Sequence, residues 1–492
     1  MTTNRSRPLD LSVQRGISRQ TFLRGAVSML ATGAVFGTTR AAADPGAATA
    51  GWNGLASTIG GSVLLPASGT QFASSKQVFN SFYNNSNPAA VVTVSSQADV
   101  QKAVAFATAN KLKIAPRGGG HSYIGASSAN GTMVLDLRGL PGGANLEGGN
   151  VTVTPATNLW AVHQACASAG RAVPTGSCPT VGVAGLTLGG GIGADSRNAG
   201  LACDALQSAT VVLPSGDVVT ASANDHPDLF WALRGGGGGN FGVTTSMTFA
   251  TFATGDTDVV RLEFAPSSAV QVLVGWQSWL NAADRNAWAM VDLAVGTGQP
   301  DCHILATCPA GGAAGVTDAI KSAVGLQPSA VTNKTMNRMD LVTYLAGGSS
   351  TSPPRGFVAG SDVITTLDSG AAHAVATAIG QWPAAGGRAS LLVDPLGGAI
   401  ADVAPGDSAF PWRKQSAVLQ WYVEPAANQV SAATQWLSSA HQAVQQFSVG
   451  GYVNYLEPNS AASRYFGSNL SQLTSVRQKY DPNQIMFSGL KF

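Results

Sequence analysis

Charge is scarce in this chain. Asp, Glu, Lys and Arg make up 11% of its 492 residues, against roughly 25% in an ordinary soluble domain. The 28 basic and 26 acidic side chains leave a net charge of +2, and no block of like charge occurs. That argues against a nucleic-acid or anionic-membrane partner, since either needs a concentrated basic field. Long apolar runs are missing as well. The stretch from Gly25 to Thr39 falls short of the ~20 residues of a membrane span. Cysteine is limited to Cys166, Cys178, Cys203, Cys302 and Cys308, an odd number that leaves at least one thiol unpaired in an exported protein. Cys302 and Cys308 are close enough in sequence to pair around a small loop or to stay free. Asp301, Cys302, His303 and Cys308 fit no standard zinc spacing, so no metal is expected. Internal repeats are absent too.

Apolar residues and glycine fill the gap. Hydrophobic residues reach 45%, enough for a substantial core in a chain of this length. The N-terminus reads as an export signal over residues 1–43. Arg15, Arg19 and Arg24 precede the short apolar stretch, and Ala41-Ala42-Ala43 offers a cleavage site before Asp44. Ser18-Arg19-Gln20-Thr21-Phe22-Leu23-Arg24 looks like a twin-arginine signal with Gln in place of the second Arg. The mature protein is expected to be secreted or extracytoplasmic, with no membrane attachment once the signal is removed.

The 59 glycines are clustered. Gly118-Gly119-Gly120, Gly189-Gly190-Gly191 with Gly193, and Gly235 through Gly239 each follow an apolar run, such as Leu112 to Ala115 or Val181 to Ala184. These runs read as strands, and other strand-like runs lie between them, at Met133–Leu137, Asn150–Thr154 and Ala209–Leu213, with a turn at Pro214-Ser215-Gly216-Asp217. Ser96 and Asn158 are placed to cap helices over Ala98–Asn110 and Leu159–Ala169. From about Asp256 to Val449 the glycine runs stop, and strands alternate with helices near Val270–Ala282 and Asn428–Phe447. The fold class implied is α+β: a glycine-looped domain over residues 44–255, a second domain with a helix-covered sheet over 256–449, and a closing segment over 450–492.

Glycine permits positive φ and close approach of backbone to ligand, and consecutive N–H groups form an anion-binding concavity. A dinucleotide pyrophosphate suits such loops. A Rossmann motif is a weaker reading. Gly189-Gly190-Gly191-Ile192-Gly193-Ala194 fits the spacing, but Asp195, Ser196, Arg197, Asn198 and Gly200 make a poor helix start. Gly120-His121-Ser122-Tyr123-Ile124-Gly125 approaches a hydrolase nucleophile elbow, with its last glycine one place late.

Taken together these segments resemble the berberine bridge enzyme-like family within the vanillyl-alcohol oxidase superfamily. The resemblance covers essentially the whole mature chain. It rests on Pro116-Arg117-Gly118-Gly119-Gly120-His121-Ser122-Tyr123, on Gly176-Ser177-Cys178-Pro179-Thr180-Val181-Gly182-Val183-Ala184-Gly185, on His226–Gly242, on Tyr452-Val453-Asn454-Tyr455, and on Tyr465–Asn469 with Tyr480-Asp481-Pro482. It implies a two-part FAD-binding domain, a substrate domain, and FAD attached covalently through His121 and Cys178. Arg117, Gly118, Gly119, Gly120, Ser122, Gly176, Val181, Gly182, Gly185, Gly189, Gly190, Gly191, Gly193, Gly242, Val243, Tyr452 and Asn454 are the further cofactor-binding residues it nominates.

The resemblance also implies an open cleft for a bulky substrate, oxygen access past Val181, and Tyr455 as the base, with Tyr452 and Gln420 beside it. Asp362 and Trp412 become candidate substrate contacts. One geometric difficulty follows: positions three apart point to opposite faces of a strand, so Tyr452 and Tyr455 share a site only if the chain bends, for which Gly450-Gly451 is suited. The expected activity is oxidation of an alcohol, either an oligosaccharide hemiacetal or a hydroxyl of a bulky secondary metabolite, with oxygen reduced to hydrogen peroxide. An oxidative cyclase or amine oxidase would favour an acidic residue where Gln420 stands. A non-catalytic glycine-cleft binding protein is the reading from another class. The partners are a small-molecule substrate and oxygen, with the protein a monomer or a small homo-oligomer.

Overall fold

The computed structural model describes residues 45–492, so the export signal expected over 1–43 lies outside them. Two small sheets form the first half. One has four strands in the order Ser62–Leu64, Ala90–Thr93, Met133–Asp136, Ile114–Arg117. Its last three run parallel, which requires a crossover between Ala90–Thr93 and Ile114–Arg117. Helix Gln97–Ala109 supplies it, and Ser96 caps that helix by accepting the Asp99 N–H. The other sheet has five antiparallel strands in the order Ala144–Glu147, Asn150–Val153, Val243–Ala250, Leu206–Val212, Val218–Ser222. Its last two strands are the hairpin expected around Pro214–Asp217.

An eight-stranded antiparallel sheet makes the second half. Its order is Ala330–Met336, Thr257–Glu263, Asp301–Pro309, Trp288–Gly296, Gly387–Pro395, Ala417–Pro425, Val358–Ile364, Ser448–Gly450. Side chains alternate between faces with period two. Val291, Leu391, Val393, Leu419 and Trp421 therefore share one face, packed beneath helices Ala269–Ala282, Ser369–Gly380 and Val430–Val444 around Trp276 and Trp436. The opposite face carries Asp292, Leu392, Asp394, Gln420 and Tyr422. Asp292 opposes Leu392, which in turn opposes Gln420. The mixture of helices and sheets is the α+β class expected.

One local expectation is corrected and one open alternative is resolved. The apolar run at Val181–Ala184 enters a short helix, Val183–Leu188, instead of a strand. Cys302 and Cys308 do not pair: both lie on strand Asp301–Pro309, six residues or ~20 Å apart in extended chain. All five thiols are free.

Candidate active site

Two glycine loops abut, backbone against backbone. A Cβ on Gly119 would fall 2.2 Å from the Gly182 nitrogen, and one on Gly182 would fall 2.3 Å from the Gly119 nitrogen. No side chain fits at either position. This contact sets His121, at the end of one loop, beside Thr180 in the other: His121 Nε2 and Thr180 Oγ1 are 3.0 Å apart. Phe79 stacks on the imidazole with centroids 3.9 Å apart. Burial lowers the His121 pKa to about 4, so the ring is neutral. The half-buried Cys178 places its sulfur 3.8 Å from the Ser352 hydroxyl.

The remaining glycines divide. Gly118, Gly119 and Gly120 are half-exposed, Gly185 is exposed with nothing within 4 Å of a built Cβ, and Gly238 faces it across the gap. These line an opening. The run after the helix does not. A Cβ on Gly189 would meet Asn454 Oδ1 at 2.0 Å, on Gly191 the Ala202 side chain at 2.5 Å, and on Gly193 the Thr175 carbonyl at 2.1 Å. The nominated residues Gly189, Gly190, Gly191 and Gly193 thus let the protein pack on itself. They also follow helix Val183–Leu188, whereas a Rossmann loop precedes its helix.

Other nominated residues are likewise explained by protein contacts. Arg117 is fully buried, with Nη2 donating to Asp136 at 2.7 Å and to the Ser75 carbonyl at 2.7 Å. It braces the strand below the loop and does not line the opening. Ser122 accepts the Ala126 N–H. Gly176 offers its carbonyl to His163 Nε2 at 3.1 Å. Gly242 abuts the Val212 carbonyl, and Val243 is fully buried at the start of its strand. Val181 stays half-buried beside Cys178.

The tyrosines arrive from the C-terminal segment. Residues Val453–Tyr455 form a 3₁₀ turn. In that geometry side chains three apart eclipse, which resolves the strand-parity difficulty. The Tyr452 and Tyr455 rings meet edge-on, 4.9 Å apart. Their roles differ. The fully buried Tyr452 hydroxyl accepts the Gly191 N–H at 2.8 Å and an Asn454 Nδ2–H at 2.8 Å, and burial raises its pKa. It fastens the glycine turn. Asn454 also donates to the Leu186 carbonyl.

Tyr455 is half-buried and stacks on Tyr123, 5.1 Å away at 18°. Gln420 donates to the Tyr123 hydroxyl, and Phe357 and Tyr422 continue the aromatic wall. Asp394 lies near enough to Tyr455 for each to perturb the other's titration. Burial, with the Asp394 charge adding to it, pushes the tyrosine well above its ordinary pKa. Burial also raises Asp394 to about 7. Sequence reasoning missed Asp394. The signal was an acid at the end of the apolar strand run Leu391-Leu392-Val393, in the same strand parity as a residue facing Gln420.

Two expected substrate contacts are corrected. Asp362 lies on the helix-covered face, one residue out of register with the cleft. It is saturated there by Trp421, His441, Ser448 and Arg464. Trp412 is buried behind the tyrosine turn, with its indole donating to the Gly451 carbonyl at 2.8 Å. Asp292, Asp301 and His303 converge within 4.8 Å, but Arg261 donates to His303 Nε2 at 2.7 Å. His303 Nδ1 then carries the proton and has no lone pair for a cation.

The facing loops fit an extended, phosphate-bearing cofactor. They present half-exposed backbone, a neutral imidazole and a half-buried thiol. The comparisons with known proteins agree. Residues 88–222 match the FAD binding domain family, and residues 451–486 the family described as berberine and berberine like. The chain is 28% identical to a chitooligosaccharide oxidase of Gibberella zeae over 81% of this chain and 86% of that one. Its fold superposes on BBE-like 1 of Physcomitrella patens with TM-score 0.80, 24% identity, and coverage of 88% and 97%. It superposes on glucooligosaccharide oxidase of Acremonium strictum with TM-score 0.81, 23% identity, and coverage of 89% and 98%. Fold and site define an FAD-linked oxidoreductase. Within that class, the chain carries a berberine and berberine like domain and is similar to berberine bridge enzyme-like oxidoreductases.

Proposed function

We propose that this protein is an exported oxidase that converts an alcohol carbon to a carbonyl, with an oligosaccharide hemiacetal as the first substrate class to test. The observation that carries the reading is Tyr455 stacked on Tyr123, two residues past His121, with the buried acid Asp394 near its phenol. FAD, when bound, supplies a hydride acceptor and returns the electrons to oxygen as hydrogen peroxide.

The protein's own residues supply the rest. The His121 imidazole is the attachment point on one side, held in orientation by Thr180 at Nε2. The Cys178 sulfur is the other. A glucooligosaccharide oxidase relative is described with 6-S-cysteinyl, 8α-N1-histidyl FAD, which supports two bonds here. Two tethers hold the ring without a closing lid, which suits a bulky substrate. The wall of Tyr123, Phe357, Tyr422 and Tyr455 offers flat faces to the apolar side of a sugar ring.

Tyr455 takes the substrate hydroxyl proton. Its own phenol is a poor base because burial raises its pKa. Asp394 overcomes this by accepting the tyrosine proton as the substrate delivers its own, so no phenolate stands alone. Gln420 fixes Tyr123 and through it the stacked Tyr455. A peroxide-coupled screen of cello-, xylo- and chito-oligosaccharides against bulky secondary alcohols tests the reading. Turnover of an oligosaccharide supports it, and oxidation of none of these by flavin-loaded protein overturns it.

A further inference from the structure

Four charged side chains meet behind the tyrosine turn, on the helix-covered face of the large sheet. Asp362 comes from strand Val358–Ile364, His441 from helix Val430–Val444, Glu457 from two residues past Tyr455, and Arg464 from the turn Ser463–Phe466. His441 Nδ1 lies 2.6 Å from Asp362 Oδ2, and its Nε2 lies 2.8 Å from Glu457 Oε2. Ionised carboxylates only accept, so both ring nitrogens carry protons and the imidazole is a cation. Arg464 Nη2 donates to Asp362 Oδ1 at 3.1 Å. Two anions and two cations cancel. Ser448 and Trp421 donate to the remaining Asp362 lone pairs.

The quartet holds both ends of the reactive segment. At the near end, Gly451 donates to the Arg464 carbonyl at 2.8 Å, Tyr452 N–H to Ser361 Oγ at 2.9 Å, and Arg464 Nη2 to the Ser361 carbonyl at 2.6 Å. At the far end Glu457 is tied by His441 through its side chain and by the Tyr465 hydroxyl through its N–H. Tyr455 sits between. We propose that Asp362, His441, Glu457 and Arg464 form a positioning clamp that keeps Tyr455 registered against Asp394 and Tyr123.

The proposal rests on the reading of Tyr455 as base. His441 is the joint of the clamp, because its protons reach a carboxylate on either side. Without the second proton a bare nitrogen would face a carboxylate at hydrogen-bond distance. Burial opposes its charge, but Asp362 and Glu457 outweigh that and hold its pKa at about 9, with Arg464 the other charge in contact. The clamp is therefore closed at neutral pH and opens as pH rises through about 9.

Hydrogen exchange on full-length, flavin-loaded protein tests this, with cellobiose turnover as a second readout. In His441→Gln, amides of residues 449–457 should lose roughly tenfold or more of their protection at neutral pH while strand Leu206–Val212 keeps its own. Wild type should lose the same protection above about pH 9, after correction for intrinsic exchange. Turnover should fall roughly tenfold in kcat, with KM little changed, flavin content intact and the alkaline limb gone. Glu457→Gln replaces His441→Gln if the latter unfolds. Unchanged protection of 449–457 in the folded variant overturns the clamp. Tyr455→Phe separates the two readings: it should keep wild-type protection, and full turnover in it would sink the base assignment while leaving the exchange result to judge the clamp.

Discussion

His121 and Cys178 are single residues with separable consequences. His121→Ala and Cys178→Ala should each retain flavin after acid precipitation, and the double variant should release it. Mass spectrometry of the denatured protein reads this directly, and flavin retained by the double variant would exclude these attachment points. The Tyr455–Asp394 pair predicts a pH profile. Asp394 accepts a proton only when ionised, and its pKa is raised to about 7. kcat/KM should therefore rise with pH through about 7, and Asp394→Asn should remove that limb. Tyr455→Phe should cost roughly 10²-fold or more in the rate of reduction, the usual contribution of a positioned base, with flavin still bound. Stopped-flow reduction at several pH values measures both.

Elements explain why some of this could be read from sequence and some could not. The motif around His121 and the one around Cys178 are local, so each was visible alone. Their meeting depends on Gly119 and Gly182 touching, which spans two unrelated loops. A Cβ there must displace backbone. Gly182→Ala should destabilise by about 1–3 kcal/mol, the usual cost of overpacking, and should lower flavin incorporation; thermal melting and the absorbance ratio check this. The helices capped by Ser96 and Asn158 were legible because a cap is a one-residue signal. The run Val181–Ala184 was not: its apolar residues suit a strand or a buried helix equally. Asp394 escaped for a related reason. Its importance comes from sharing a sheet face with Gln420 and Tyr422, close to Tyr455, set by strand register over a long sequence separation and not by its neighbours. Asp362 was misplaced by one step of the same alternation.

At the scale of the whole molecule, two buried charge systems join distant parts. Arg338, in helix Arg338–Leu345, donates to both Asp195 oxygens at 3.0 and 2.6 Å and stands against His163, which holds the Gly176 carbonyl two residues before Cys178. Removing one partner of a buried pair typically costs about 3–5 kcal/mol, so Arg338→Ala should lower the melting temperature clearly. The His441 system adds a pH dependence to stability itself. Its folded pKa lies above the unfolded value of 6.5. Its contribution is therefore complete below pH 6.5 and is lost as pH rises through about 9. Denaturant midpoints across that interval should fall for wild type and stay flatter for His441→Gln.

The tyrosine turn follows Ser448–Gly450, the last strand of the large sheet in sequence. Its hydrogen bonds to Gly191 and Leu186 span 261 and 268 residues. Contacts of such separation are the slowest to form. A growing or truncated chain thus carries the loops of His121 and Cys178 but lacks Tyr455 until its final residues have docked. On the proposed reading, flavin attachment and the arrival of the base are therefore separable in time, and a polypeptide that fails to dock its last segment would hold His121 and Cys178 without Tyr455.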